Sequence, residues 1–190
     1  MTTGKTTTTT TAPTLATWSI DPAHSHVEFA VKHLMISTVK GRFGIVRGTV
    51  RADVANPGTG PVEVDIEIDA DSIDTREAQR DAHLKSADFF DVAAYPRLRF
   101  TAARVSQPNG GAFDLTGDLT IHGVTRPVTL RIESEGAAKD PWGGERVGFS
   151  GTAKIKRSDF GLTWNQVLEA GGVVVGDDVK ISLDVELIKQ

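Results

Sequence analysis

Few residues in this chain are equipped for chemistry, and they are scattered. His24 and His26 stand two positions apart, and on a β-strand that spacing points both imidazoles to one face, the beginning of a metal site. A metal-dependent barrel enzyme would complete the set with a glutamate a few residues on and a third, distant histidine. Glu28 is too close, and only His83 and His122 remain as distant donors, the latter in a His-Gly-Val-Thr turn that reads as surface. His33 falls on the strand face of Val27, Phe29 and Val31 and so points inward. If the strand ends there, its imidazole sits at the mouth of an interior and can donate to a polar head group. The alternative is a structural histidine, or one already in the following loop. Arg42 follows Gly41, and Arg76 and Arg80 flank the start of a helical stretch. Arginine forks beside a helix N-terminus suit a phosphate-type anion, although solvated arginines are commoner.

What is missing narrows the field further. With no cysteine, thiolate nucleophiles, disulfides and cysteine-based metal centres are excluded. No G-x-S-x-G elbow, H-E-x-x-H pair, phosphate-cradling G-x-x-x-x-G-K or dinucleotide G-x-G-x-x-G is present. A net charge of −4 and an aromatic share of 6% argue against a nucleic-acid partner. The longest uncharged apolar tract, Ala170 to Gly176, is too short to span a bilayer. The expectation is a protein with no catalytic residues, no intrinsic metal and no cofactor; the alternative is a metal-dependent barrel enzyme using His24 and His26.

The elements that would position these residues are mostly strands. Residues 1–16 are threonine-rich with little apolar surface to offset ordering, so they read as a disordered tail, leaving 17–190 as one domain. The tail lacks a secretory signal, which places the chain in the cytoplasm. Period-two alternation then dominates: Val27-Phe29-Val31, Val62 to Ile68, Leu98-Phe100-Ala102, Phe113 to Ile121, Val128-Leu130-Ile132, Phe149 to Ile155 and Val179 to Leu187, with Phe43 to Val50 as an eighth run. Charged residues between the apolar ones, such as Glu63, Asp65 and Glu67, mark antiparallel strands with one wet face. Turn residues separate the runs, including Asn56-Pro57-Gly58, Pro108 to Gly111, His122 to Thr125 and Asp140 to Gly144. One helix is expected over Glu77 to Ala87, with Asp74 and Glu77 as a capping box.

Eight alternating strands form either a sandwich or a closed barrel, and intra-strand glycines such as Gly117 and Gly151 favour the barrel with its sharp bends. The fold class is therefore all-β, an eight-stranded antiparallel up-and-down barrel with one short helix. Such a barrel is either filled by side chains or holds one small ligand. Composition alone favours a filled core, but Ala102, Gly117, Gly151 and Ala153 lack the bulk to meet in the middle.

The ordered series Trp18 to Met35, Lys40-Gly41-Arg42-Phe43-Gly44, Asp71 to Thr75, Arg80 to Asp91, Tyr95 to Phe100, Leu119 to Thr125, Arg157 to Leu162 and Val179-Lys180-Ile181 resembles the YceI-like family of lipocalin-like proteins from about Thr17 to Lys189. That resemblance implies an elongated apolar pore that binds a polyisoprenoid lipid or isoprenoid quinone without catalysis, and it reverses the expectation of a filled core. Many family members are exported, whereas this chain begins with a threonine tail. Strand parity together with family position nominates Val27, Phe29, Val31, His33, Arg42, Phe43, Ile66, Ile68, Phe100, Leu119, Phe149, Ile155, Ile181 and Leu183 as ligand contacts. A homodimer is compatible with the sequence but no exposed pattern specifies it.

Overall fold

The computed structural model describes residues 15–44, 46–54, 56–106, 111–167 and 171–190. The threonine run of the expected tail lies outside these residues. The strands are β1 (Ala16–Ile20), β2 (His26–His33), β3 (Ser37–Phe43), β4 (Val46–Ala52), β5 (Val62–Asp69), β6 (Ile73–Asp74), β7 (Arg97–Val105), β8 (Ala112–Ile121), β9 (Val124–Lys139), β10 (Glu145–Lys156) and β11 (Val175–Lys189). One α-helix, α1 (Ala78–Lys85), lies between β6 and β7. Every pairing is antiparallel.

Eleven strand segments make an eight-stranded barrel because three staves are broken. β1 and β2 follow one another along the same edge of β11, with Trp18 opposite Lys189 and His26 opposite Asp184. β4 and β3 in turn line the far edge of that pair, and β5 and β6 line the next. The pairing of β11 with both β10 and β1 closes the sheet and leaves no long edge to be covered. The predicted run from Phe43 to Val50 is thus interrupted between Phe43 and Val46. The barrel also begins one residue earlier than the domain boundary read from the sequence, since Ala16 pairs with Ala52.

Local chemistry explains the breaks and turns. The interruption between β1 and β2 is held by Glu186, whose backbone carbonyl accepts from Asp21 N at 2.9 Å and whose amide donates to Ser25 Oγ at 3.0 Å. The β8–β9 hairpin turns on His122 and Gly123, with φ of 51° and 72°; positive φ at both positions is the type I′ turn that matches strand twist. Helix α1 is shorter than expected at both ends, and its cap differs. Glu77 is itself the N-cap, accepting from Gln79 N and Arg80 N, while Asp74 accepts from Arg76 N at 2.8 Å. Glu77 lies closer to the first free amides of the helix, so it takes the role the capping-box pattern assigned to Asp74. Arg80 then ties the helix start to β6, donating to Thr75 Oγ1 and Thr75 O at 2.7 and 2.8 Å.

Candidate ligand-binding cavity

The barrel is hollow. A cavity of about 270 Å³ runs between a rim that includes Asp53, Val54, Pro57, Thr59 and Pro61 and a plug made by Leu84 of α1 with Phe89, Phe90, Phe160 and Leu162. Among the described residues its wall is aliphatic, aromatic, glycine or proline except for Glu28, Asp53, Thr59 and Arg157. Val27, Phe29, Val31, Phe43, Ile66, Ile68, Phe100, Leu119, Phe149, Ile155, Ile181 and Leu183 all line it.

Two of the wall phenylalanines, Phe29 and Phe100, lie against glycine, which keeps their rings close to the wall. Phe29 pairs with Gly41 across β2 and β3, and a Cβ on Gly41 would come within 2.4 Å of the Phe29 ring tip. Phe100 treats Gly117 in the same way, with the corresponding distance 2.8 Å. A ring laid over a cross-strand glycine covers bare backbone and stays close to the wall. The void is thereby kept apolar, and an apolar void of this kind stays dry and favours an apolar guest.

Two nominated residues stand elsewhere. Arg42 alternates with inward-facing Phe43 and so points out, where its guanidinium lies 3.5 Å from Asp74. His33 is the last residue of β2, opposite Ser37, and the chain turns immediately through Leu34 and Met35 at φ of 50° and 59°. It therefore stops at the plug end of the barrel, opposite Val175, and is not part of the wall. Arg80 is likewise committed to the helix start through its bonds to Thr75, while the backbone amide of Arg76 donates to Asp74.

Sequence reasoning missed Arg157. This side chain is buried and reaches the cavity wall near the plug, with its N–H groups donating to the carbonyls of Gly176, Leu162, Trp164 and Val175 at 2.6–3.3 Å. Burial lowers its pKa from the ordinary arginine value, opposed by the nearby charge of Asp177. A guanidinium holding four carbonyls staples Leu162 and Trp164 to Val175 and Gly176 across the barrel end. The plug residues were missed as well, because Phe89, Phe90 and Leu162 lie outside alternating runs; the only sign was their place in the segments that resemble the family.

The histidine pair does not form the expected strand-face couple. His24 lies in the turn before β2, where Nδ1 is 2.9 Å from Asp21 Oδ2, and His26 faces Asp184 at 3.2 Å. His83 pairs with Asp88 at 2.9 Å, and His122 packs on Tyr95 with ring centroids 4.6 Å apart. Among the described residues the one group with metal-ligand spacing is Asp21, His24 and Glu186. Arg146 already occupies it, donating to Asp21 Oδ2 at 2.7 Å, to Asp140 Oδ2 at 3.0 Å and to Glu186. That guanidinium supplies the positive charge a cation would bring. Hydrogen bonds from His24 and Arg146 hold the Asp21 carboxyl down at about 2, and the same contact with Asp21 raises His24 above 6.5. This is a structural ion cluster fastening the β1–β2 turn to β10 and β11.

Known proteins share this architecture. A UPF0312 protein of Vibrio parahaemolyticus is 41% identical over 140 residues, covering 74% of this chain and 73% of that one. The solved Campylobacter jejuni YceI protein superposes with a TM-score of 0.70 at 34% identity, covering 84% of this chain and 90% of its own. A polyisoprenoid-binding domain from Saccharophagus degradans has the same fold at a TM-score of 0.63 and 18% identity, covering 93% of this chain and 99% of that domain. The YceI-like domain itself matches residues 18–187, from the first closing strand to the last. A family match along nearly its whole length places this chain in the YceI-like family.

Proposed function

We propose that this protein is a non-enzymatic carrier that binds an isoprenoid lipid, either a polyprenyl compound or an isoprenoid quinone, with the chain threaded along the barrel axis. The observation that carries this reading is the apolar cavity running from the rim at Asp53, Pro57 and Pro61 to the aromatic plug. A slender hydrocarbon gains about 0.8 kcal/mol for each methylene buried, so affinity accumulates with length and needs no specific polar contact. The shared fold of the S. degradans polyisoprenoid-binding domain supports the same guest class. A carrier also suits a wall with so few polar groups. The ion cluster of Asp21, His24, Arg146 and Glu186 is internally satisfied and serves no reaction in this reading.

Organic extraction and mass spectrometry of the purified full chain test the proposal, followed by titration with polyprenols of increasing length. Retained isoprenoid, or affinity that rises with chain length, is expected. Val27→Trp, which narrows the tube while keeping it apolar, should lower that affinity in a protein that still folds. An empty extract together with no binding at any length overturns the reading.

A further inference from the structure

The outer face of the barrel is not uniform. Across β3, β2, β11 and β10, one outward row reads Lys40, Ala30, Lys180, Lys154 in register. Lys32 and Lys156 extend it toward the β2–β3 turn, and all five lysines are exposed. Lys154 pairs with Asp178 at 2.7 Å, but Lys32, Lys40 and Lys180 have no carboxylate at ion-pair distance among the described residues. In a chain of net charge −4, this is a local concentration of positive charge. Lys180 and Lys154 stand directly opposite one another, and like charges so placed destabilise a sheet. Folding does not require the arrangement, which marks it as serving something else.

An apolar tip adjoins the lysines. Met35 and Ile36, in the turn joining β2 to β3, are 61% and 83% exposed. Val167, 84% exposed, is brought alongside: it bridges to Val173, and the neighbouring Val174 carbonyl accepts from Leu34 N at 2.8 Å. Lys32 and Lys40 lie within about 14 Å of the tip at the ordinary strand rise. Bare aliphatic side chains at an edge, backed by a shelf of lysines, are the complement of a bilayer surface: the tip enters the acyl boundary while ammonium groups meet anionic head groups.

We propose that this face docks the protein onto an anionic lipid membrane, with Met35, Ile36 and Val167 inserted and the lysine row against the head groups. The proposal rests on the carrier reading for its purpose, since a lipid carrier must meet the surface it loads from, but its geometry is independent of the cavity. Flotation of the full chain with vesicles tests it, comparing phosphatidylcholine alone with phosphatidylcholine carrying about 30% phosphatidylglycerol. Binding to the anionic vesicles only, falling with added salt, is expected. Lys40→Ala combined with Lys180→Ala should lower partitioning by about tenfold, and Met35→Ser with Ile36→Ser should lower it further while leaving the melting temperature unchanged. Equal partitioning on both vesicles, wild-type binding by the lysine variant, or stronger binding to an oligonucleotide than to anionic vesicles overturns the proposal. Extracting the same samples separates the two readings. A chain that retains isoprenoid but does not float defeats docking alone, and one that floats but neither carries nor takes up isoprenoid defeats the carrier reading alone.

Discussion

Two walls of one barrel obey the same alternation and differ in nearly everything else. In the wall made by β7, β8 and β9, the inward residues Leu98, Phe100, Phe113, Leu115, Leu119, Val128 and Leu130 are fully buried. In the wall made by β2, β10 and β11, the inward Val27, Phe29, Phe149, Ile181 and Leu183 are only half-buried, although residues of both walls line the cavity. The outer faces differ in parallel. Around β7, β8 and β9, charges and hydroxyls are paired: Arg99 grips Asp65 with two hydrogen bonds of 2.7 and 2.8 Å, Arg131 meets Asp114 at 3.2 Å, and Thr116 meets Thr129 at 2.9 Å. On the other side stand the lysines of β2, β3, β10 and β11. One wall satisfies itself on both faces and so carries stability. The other leaves apolar surface inside and positive charge outside, and so has capacity for partners.

The comparison is most exposed to truncation of its aromatic residues. Phe100→Ala, in the tight wall, should cost about 3–5 kcal/mol in urea unfolding. Phe29→Ala, in the loose wall, should cost clearly less and instead weaken isoprenoid binding, because much of its ring faces empty space. Equal costs for the two would mean the void is not a feature of the native barrel.

A smaller contrast comes from adding one methyl group. At Gly117 a Cβ meets the carbonyl oxygen of Thr101 at 2.3 Å, whereas at Gly151 it meets side-chain tips of Ile132 and Leu183 at 2.8 and 3.0 Å. Backbone cannot yield, but rotamers beside a cavity can. Gly117→Ala should therefore lose about 1–3 kcal/mol, and Gly151→Ala less, as read by shifts in the denaturation midpoint.

The smallest expected effect concerns the fastening of the loose wall. Asp21 is held at about 2 against an ordinary 3.8, so its contribution is complete above 3.8 and is lost as pH falls toward 2. His24, raised above 6.5, contributes fully below 6.5 and loses that contribution as the solution is made more alkaline through its raised value. Midpoints measured across pH should show both slopes in the wild type. Asp21→Asn should flatten the acid step and shrink the alkaline one, and a variant that keeps both would show that the cluster with Arg146 does not secure the β1–β2 turn.

Much of this was legible in the chain itself. Alternation from Val27 to Leu187 identified β2, β4, β5 and β7 to β11 but not β1, β6 or most of β3, and the same parity selected residues that do line the cavity, since in a strand the period alone assigns faces. Applied consistently it also puts Arg42 outside, beside inward Phe43. Parity is silent at the ends of strands. There His33 stops at the plug end, His24 belongs to a turn, and the Phe89–Phe90 plug arrives from a segment with no period at all.

Residue order alone determined that this chain makes antiparallel strands with one oily face, because side-chain direction in a strand is a local consequence of backbone geometry. Whether the barrel is empty was decided only in three dimensions, by which residues meet across strands. Phe29 opposite Gly41 and Phe100 against Gly117 pack close to bare backbone at the wall. Register also gathered lysines from four strands into one row, and register is a property of the closed sheet.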